Sequence, residues 1–310
     1  MGSRQRQMYT YVAHGLKLNS EFELPELTGT ETLVPFDPIP VEICRGDVPR
    51  DLANAKTSME GYRILEDKVL LVLSGTARYL IMDGRIIRVA PARGHEPAWL
   101  RIVLVSGALG IALHQRGLLP LHASAVVSNG ICIAFVGNSG AGKSTLAAGL
   151  SRQGFKLLTE DKLVLRHTTR GWMAWPGIPF LHLSTKSSEH APRTLIKTST
   201  SPRAGKYIYL DRDRFDLEPR LLKVLYLMDW SPPGSKPAVA RISSSEAFFD
   251  LRAYASLQGL IQAMGREGLF LQWATELLKE IPIFRFTRPQ SHAEFETGLD
   301  LLHTHWSSLL

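Results

Sequence analysis

An α/β fold with a smaller β-rich module ahead of it is predicted by three observations. Short apolar runs recur at close spacing before residue 95, with a turn signal at Asp83-Gly84. The apolar run Ile131 to Val136 leads directly into a glycine-rich loop and then an amphipathic helix. Beyond that helix, further strand and helix signals follow one another to the terminal helix. The chain has 310 residues, 45% of them hydrophobic, which suffices for about two domains with cores of their own. We place them at 1–95 and 96–310.

In the first module, Val69 to Leu73, Tyr79 to Met82 and Ile86 to Val89 read as strands, the last two joined by the Asp83-Gly84 hairpin signal. Pro35, Pro38 and Pro40 mark a loop, and Pro91 and Pro97 bracket the boundary. Residues 98–116 read as a helix. His122 to Val127 is a strand, Asn129-Gly130 a turn, and Ile131 to Val136 a buried strand. A helix follows over 143–152, and Gly154 is placed to end it in the left-handed conformation. Phe155 to Thr159 is the next strand. Residues 184–201 are rich in Ser and Thr and read as a mobile surface loop. A strand over Lys223 to Met228, a Pro232-Pro233-Gly234 turn, helices near 245–264 and 266–279, a strand over Pro282 to Phe286 and a terminal helix complete the chain.

The formal net charge is +7. Such a balance suits an anionic partner such as a nucleotide or an acidic peptide. Nucleic acid is not expected: there is no basic run, no zinc spacing and no aromatic-rich RNA-binding strand. Two cysteines, Cys44 and Cys132, make no disulfide framework and fit a reducing cytoplasm. The N-terminus lacks an apolar secretory core. The apolar stretch Ile102 to Leu113 is shorter than the ~20 residues a membrane-crossing helix needs. It reads as a buried helix, and no membrane is expected as partner.

Gly137-Asn138-Ser139-Gly140-Ala141-Gly142-Lys143-Ser144 satisfies G-x-x-x-x-G-K-[ST] in full, and Thr145 follows. The glycines let the backbone curl so that successive amides point at phosphate oxygens. The helix behind adds the positive end of its dipole. Lys143 reaches the β- and γ-phosphates, and the Ser144 hydroxyl is placed to ligate Mg²⁺. A nucleotide–Mg²⁺ site also needs a carboxylate. Glu160 and Asp161 close the strand Phe155 to Thr159, with room for one helix, one turn and one strand between them and the loop. No N-K-x-D follows for guanine selection, and no L-S-G-G-Q of a transporter ATPase is present. Among the remaining cations, Arg193, Lys197, Arg203 and Lys206 lie in or just after the Ser/Thr-rich segment, and Lys206 is the preferred acceptor-side residue. His303 and His305 do not form a metal site, because residues two apart on a helix face different sides.

Three segments in order resemble the catalytic domain of the HPr kinase/phosphorylase family: Leu121-His122-Ala123-Ser124, the loop Gly137 to Thr145, and Gly154-Phe155-Lys156-Leu157-Leu158-Thr159-Glu160-Asp161. The N-terminal module, with Tyr11-Val12-Ala13-His14-Gly15-Leu16 and Leu24-Pro25-Glu26-Leu27, is more similar to the HPr-kinase-like proteins of lasso-peptide biosynthesis. The resemblance implies an HPr-kinase-type α/β P-loop domain. It implies a cytoplasmic, homo-oligomeric kinase that moves a phosphoryl group from ATP, with Mg²⁺, to a serine hydroxyl near a precursor peptide's C-terminus. By position, Asp161 would hold Mg²⁺, Glu160 would accept the proton of the attacking hydroxyl, and His122 would lie near Glu160 and tune it. Two departures stand out. The family has Asp where this chain has Glu160, and the second Arg/Gly-rich signature of enzymes acting on HPr is not evident. A small-molecule kinase on the same fold and a nucleotide-binding regulatory protein are the alternative readings.

Overall fold

The computed structural model describes residues 7–27, 31, 33–55, 57–59, 61–192, 196–200, 206–210, 213–291 and 293–309. The chain forms two compact units. One comprises Met1–Pro120 with Gly259–Glu267, and the other Leu121–Gln258 with Gly268–Leu310.

The first unit is built on one eight-stranded sheet. Its strands are Tyr9–Ala13 (β1), Leu16–Ser20 (β2), Asp37–Arg45 (β3), Thr57–Met59 (β4), Tyr62–Leu65 (β5), Lys68–Leu73 (β6), Ala77–Met82 (β7) and Ile86–Pro91 (β8), in the order β1-β2-β3-β8-β7-β6-β5-β4. Asp83 (φ 50°) and Gly84 (φ 60°) both take the left-handed conformation in the three-residue connection between β7 and β8, closed by the Arg85 amide donating to Met82 O.

A continuous helical stretch follows: Pro97–Ile102 (α1), a π-helical segment Val103–Ala108, and Leu109–Gln115 (α2). Glu96 caps it by accepting from the amides of Ala98 and Trp99. At 19 residues, Pro97–Gln115 is long and apolar enough to cross a membrane by length and composition alone. Yet 67% of its apolar window is buried in the fold. Its contacts explain why. The Tyr79 hydroxyl donates to Leu100 O (2.9 Å), Gln115 Nε2 donates to Asp67 O (2.7 Å), and Arg116 Nε donates to Gly84 O (2.6 Å). The helix is therefore tied to the β6–β8 side of the sheet, and the boundary falls after Pro120 rather than at 95. Gly259–Ala263 lies in the same unit, where Arg266 Nη2 donates to Gln115 O.

The second unit carries the glycine-rich loop. Ala123–Ser128 (β9), Ile131–Val136 (β10), Lys156–Thr159 (β11), Val164–Thr168 (β12), Gly171–Trp175 (β13), Arg220–Trp230 (β17), Ala238–Arg241 (β18) and Ile283–Arg288 (β19) form one sheet. Its path is β11-β9-β10-β17-β13-β12, with β19 pairing both β17 and β18. The β10–β17 and β17–β19 pairs are parallel. β10 and β17 are apolar along most of their length, as parallel strands covered on both faces are, whereas β19 alternates apolar and polar residues. Phe180–Ser184 (β14), Ile196–Thr200 (β15) and Lys206–Leu210 (β16) make a separate antiparallel sheet.

The Ser/Thr-rich segment is therefore not simply a loop. It holds the short helix Thr185–Ser188 (α4), capped by Ser184, and the strand β15. Composition misled because Thr and Ile are good strand formers once a partner strand is present. The helical region near 245–264 also breaks, into Ser244–Ala253 (α5) and Gly259–Ala263 (α6), with Leu257 at φ 51° between them. Glu267–Glu280 (α7) and Ala293–Ser307 (α8) are the remaining helices.

The core of this unit lies between the sheet and two helices, Lys143–Arg152 (α3) and α8. Phe135, Leu146, Leu150, Tyr226, Phe286, Phe295 and Trp306 pack together there, all nearly or fully buried. Gly149 permits the close approach of the helices, since a Cβ at that position would stand 2.8 Å from the Phe295 ring.

Candidate functional site

The loop between β10 and α3 follows from local chemistry. Gly140 (φ 91°) and Gly142 (φ 85°) adopt backbone angles that side chains disfavour, and a Cβ on Gly137 would lie 3.0 Å from Met228 O on β17. No side chain caps α3, so its first amides remain open to an anion. Lys143 is 5% exposed and folds back over the loop. Its Nζ donates to Gly137 O (2.7 Å) and Asn138 O (2.9 Å). Ser139 is exposed at the tip, and the Ala141 amide donates to Asn138 O (3.1 Å). Thr145 faces α4, its hydroxyl donating to Ser187 Oγ (3.0 Å). A phosphate chain fits these residues: a glycine cradle, an ammonium at its mouth and an uncapped helix end.

Strand β11 pairs with β9 and is irregular between Leu157 and Thr159. A tight turn follows, in which the Lys162 amide donates to Glu160 O and the Thr159 hydroxyl donates to Lys162 O. Asp161 sits in this turn at φ 71°. Left-handed backbone at a non-glycine residue concentrates at functional sites. The turn sends the two carboxylates in different directions, both buried. Glu160 accepts from the Ser144 hydroxyl at 2.5 Å and lies 3.2 Å from His182 Nδ1 on β14. Asp161 accepts from Lys162 Nζ at 2.5 Å, with His122 Nδ1 at 3.3 Å from Oδ1 and 3.1 Å from its carbonyl oxygen.

Thus Lys143, Ser144, Glu160, Asp161 and His122 come together, but in a different pairing from that expected. His122 stands beside Asp161, not Glu160, and Glu160 rather than Asp161 adjoins Ser144. Glu160 and Asp161 are successive residues at the end of β11, and their side chains meet different partners. Arg193 and Arg203 lie outside the described residues, as do the side chains of Lys197 and Lys206; the backbone of Lys206 opens β16 opposite Ser184. His305 Nδ1 is 2.7 Å from the Tyr226 hydroxyl and His303 packs on Phe155, so neither belongs to the site. Among the described residues no cluster of three metal-ligating side chains exists.

His182 and Lys162 were not read from the sequence. The available signal was a histidine in the otherwise apolar run Phe180-Leu181-His182-Leu183, where an unpartnered imidazole would be costly.

Burial pushes the Glu160 carboxyl up, but the hydrogen bond and charge of His182, with the Ser144 hydroxyl, outweigh it and leave the group below its ordinary 4.5. A carboxyl lowered in the folded state contributes stability that is present above its ordinary value and lost as pH falls through the folded value. Metal-free protein should therefore weaken on acidification below 4.5, and Glu160→Gln should flatten that limb. Urea midpoints between about pH 3 and 6 check this; an equally steep acid limb in the variant would refute it.

No protein-family model matches the chain, and no curated protein matches it. Among solved structures, the chain is similar to an Hpr(Ser) kinase/phosphatase from Coxiella burnetii, at 12% identity and a TM-score of 0.33, over 61% of this chain and 97% of that one. That likeness is too distant to transfer residue roles.

Proposed function

We propose that the second unit is an ATP- and Mg²⁺-dependent kinase that phosphorylates a hydroxyl, and that its acceptor is a serine of a peptide. The observation that carries the reading is the convergence of a complete phosphate loop with two buried carboxylates of separate surroundings, Glu160 on Ser144 and Asp161 on His122. Phosphoryl transfer asks chiefly for positioning and charge stabilisation, and these groups supply both.

The loop amides and Lys143 hold the β- and γ-phosphates. Ser144 and Glu160 would hold Mg²⁺, which would supply positive charge to stabilise the transferring phosphoryl group. Asp161 fixes the His122 ring through Nδ1 and leaves Nε2 to take the proton of the acceptor hydroxyl. The acceptor oxygen forms its bond to the γ-phosphorus as the bond to the β-phosphate oxygen breaks, and ADP leaves. Glu160 thereby takes the metal side that family resemblance gave Asp161, and the proton acceptor is His122 rather than Glu160. Lys206 is assigned to the acceptor side by its place in the sequence alone. The peptide acceptor, its C-terminal serine, a cytoplasmic setting and a homo-oligomer belong to the same proposal and rest on resemblance to the lasso-peptide kinases.

The test is mass spectrometry of serine-containing peptides and of small polyols after incubation with ATP and Mg²⁺. A gain of one phosphate on a peptide serine supports the reading. Transfer to polyols only would make this a small-molecule kinase. Nucleotide binding with no transfer would leave a regulatory binder.

A further inference from the structure

Beside the phosphate loop, away from the acid pair, the second unit opens a cleft of about 290 Å³. It is lined by Gly140, Gly142, Thr145, Lys186, Trp230 and Arg288, among others, and among the described residues no carboxylate lines it. Arg288 is its most unusual member. It ends β19 on the same face as Phe284 and Phe286, so the sheet's period of two carries a guanidinium into a buried position, 5% exposed.

The guanidinium is sandwiched by aromatic rings, with Cζ 4.4 Å from the Trp230 centroid and 5.2 Å from that of Phe295. Its Nε has no hydrogen-bond partner, and among the described residues no carboxylate pairs with it. Burial lowers its pKa to about 10, which still leaves it charged at neutral pH. Stacking offsets part of the desolvation cost, yet a buried charge without a counter-ion is strongly unfavourable. Its terminal nitrogen reaches the loop itself: a Cβ on Gly142 would stand 2.5 Å from Arg288 Nη2. Trp230 is fixed at the same place, its Nε1 donating to Gly140 O at 3.1 Å.

We infer that this cleft takes the α-phosphate and nucleoside of the bound nucleotide, with Arg288 as counter-ion of the α-phosphate and Trp230 holding that guanidinium in place. The inference rests on the kinase reading and extends it. Ser144 and Glu160 mark the metal side, where the β- and γ-phosphates belong. Thr145, the next residue along α3, lines the cleft instead, so the chain from the β-phosphate toward the nucleoside leaves along this flank.

Titration calorimetry with the Mg²⁺ complexes of β,γ-imido-ATP and of pyrophosphate separates the possibilities. Pyrophosphate fills only the β/γ positions. In Arg288→Gln, affinity for the nucleotide should fall roughly 30-fold, the size of one lost charged hydrogen bond, and pyrophosphate affinity should fall far less. Ser291→Trp, at the half-buried rim of the cleft, should show the same split by filling the space, and it decides the matter should Arg288→Gln fail to fold. Equal losses for both ligands, or none for either, would overturn the assignment. Wild-type protein that binds pyrophosphate but gains nothing from the nucleoside would overturn it too, leaving the phosphate loop intact. Binding of neither ligand by wild type would remove the kinase reading itself.

Discussion

Lys143→Met should lose phosphoryl transfer by at least ~10²-fold in turnover, the range seen when a preorganised donor to developing charge is deleted. Affinity for ATP should fall with it. The Lys143 ammonium is nearly buried and held by Gly137 O and Asn138 O. It therefore reaches the phosphates without having to be ordered first. Methionine keeps most of the stem's length and its apolar packing against the loop, but removes the charge. The two carbonyls each lose a donor, at about 1 kcal/mol apiece, so the melting point should drop modestly while the fold persists. ADP release by chromatography, with calorimetry of ATP binding, reads both effects. Unchanged turnover in a folded variant would show that the loop does not carry the reaction.

Asp161→Asn should abolish transfer by a similar ~10²–10⁴-fold, the scale of general acid–base contributions, while nucleotide affinity stays close to wild type. Asn tolerates the left-handed backbone that Asp161 occupies at φ 71°, so the turn should survive. What disappears is the carboxylate that orients His122 and accepts from Lys162 Nζ. Glu160→Gln should behave differently, weakening the Mg²⁺ complex of ATP more than the free nucleotide, since that side chain adjoins Ser144. Single-turnover phosphorylation, with nucleotide titrations at varied Mg²⁺, distinguishes the two carboxylates. Loss of transfer in Glu160→Gln with Mg²⁺–ATP affinity intact, together with weakened Mg²⁺–ATP binding in Asp161→Asn, would restore the assignment drawn from resemblance.

The shape of the glycine-rich loop was legible because its residues are contiguous and each has a local reason to be there. The same holds for β10, α3 and the hairpin at Asp83-Gly84. What sequence did not reveal depends on strands meeting from afar. His182 reaches Glu160 only because β14 lies across from the turn after β11. Arg288 reaches Gly142 only because β19 joins β17, which in turn runs parallel to β10. Its signal was present, a basic residue continuing the apolar alternation Phe284, Phe286, but periodicity does not say which loop that face will meet. The pairing of His122 with Asp161 likewise depends on β9 and β11 lying side by side. The unit boundary was misplaced for a related reason, because an apolar helix does not announce which sheet it will cover.

The parallel β10–β17–β19 pairing has a bearing on how the protein is made. On a ribosome, the loop and its lysine emerge roughly 145 residues before Arg288, a wait of about ten to thirty seconds at ordinary elongation rates. For the first part of that interval, until β17 ends at Trp230, β10 lacks its parallel neighbour and the loop lacks the strand that backs Gly137. The first unit waits as well, since Gly259–Glu267 belongs to it. The first unit is not complete before the chain has passed Glu267, and the second only after that. A nascent chain stalled or cleaved earlier would display the glycine-rich loop without all the strands that shape its surroundings.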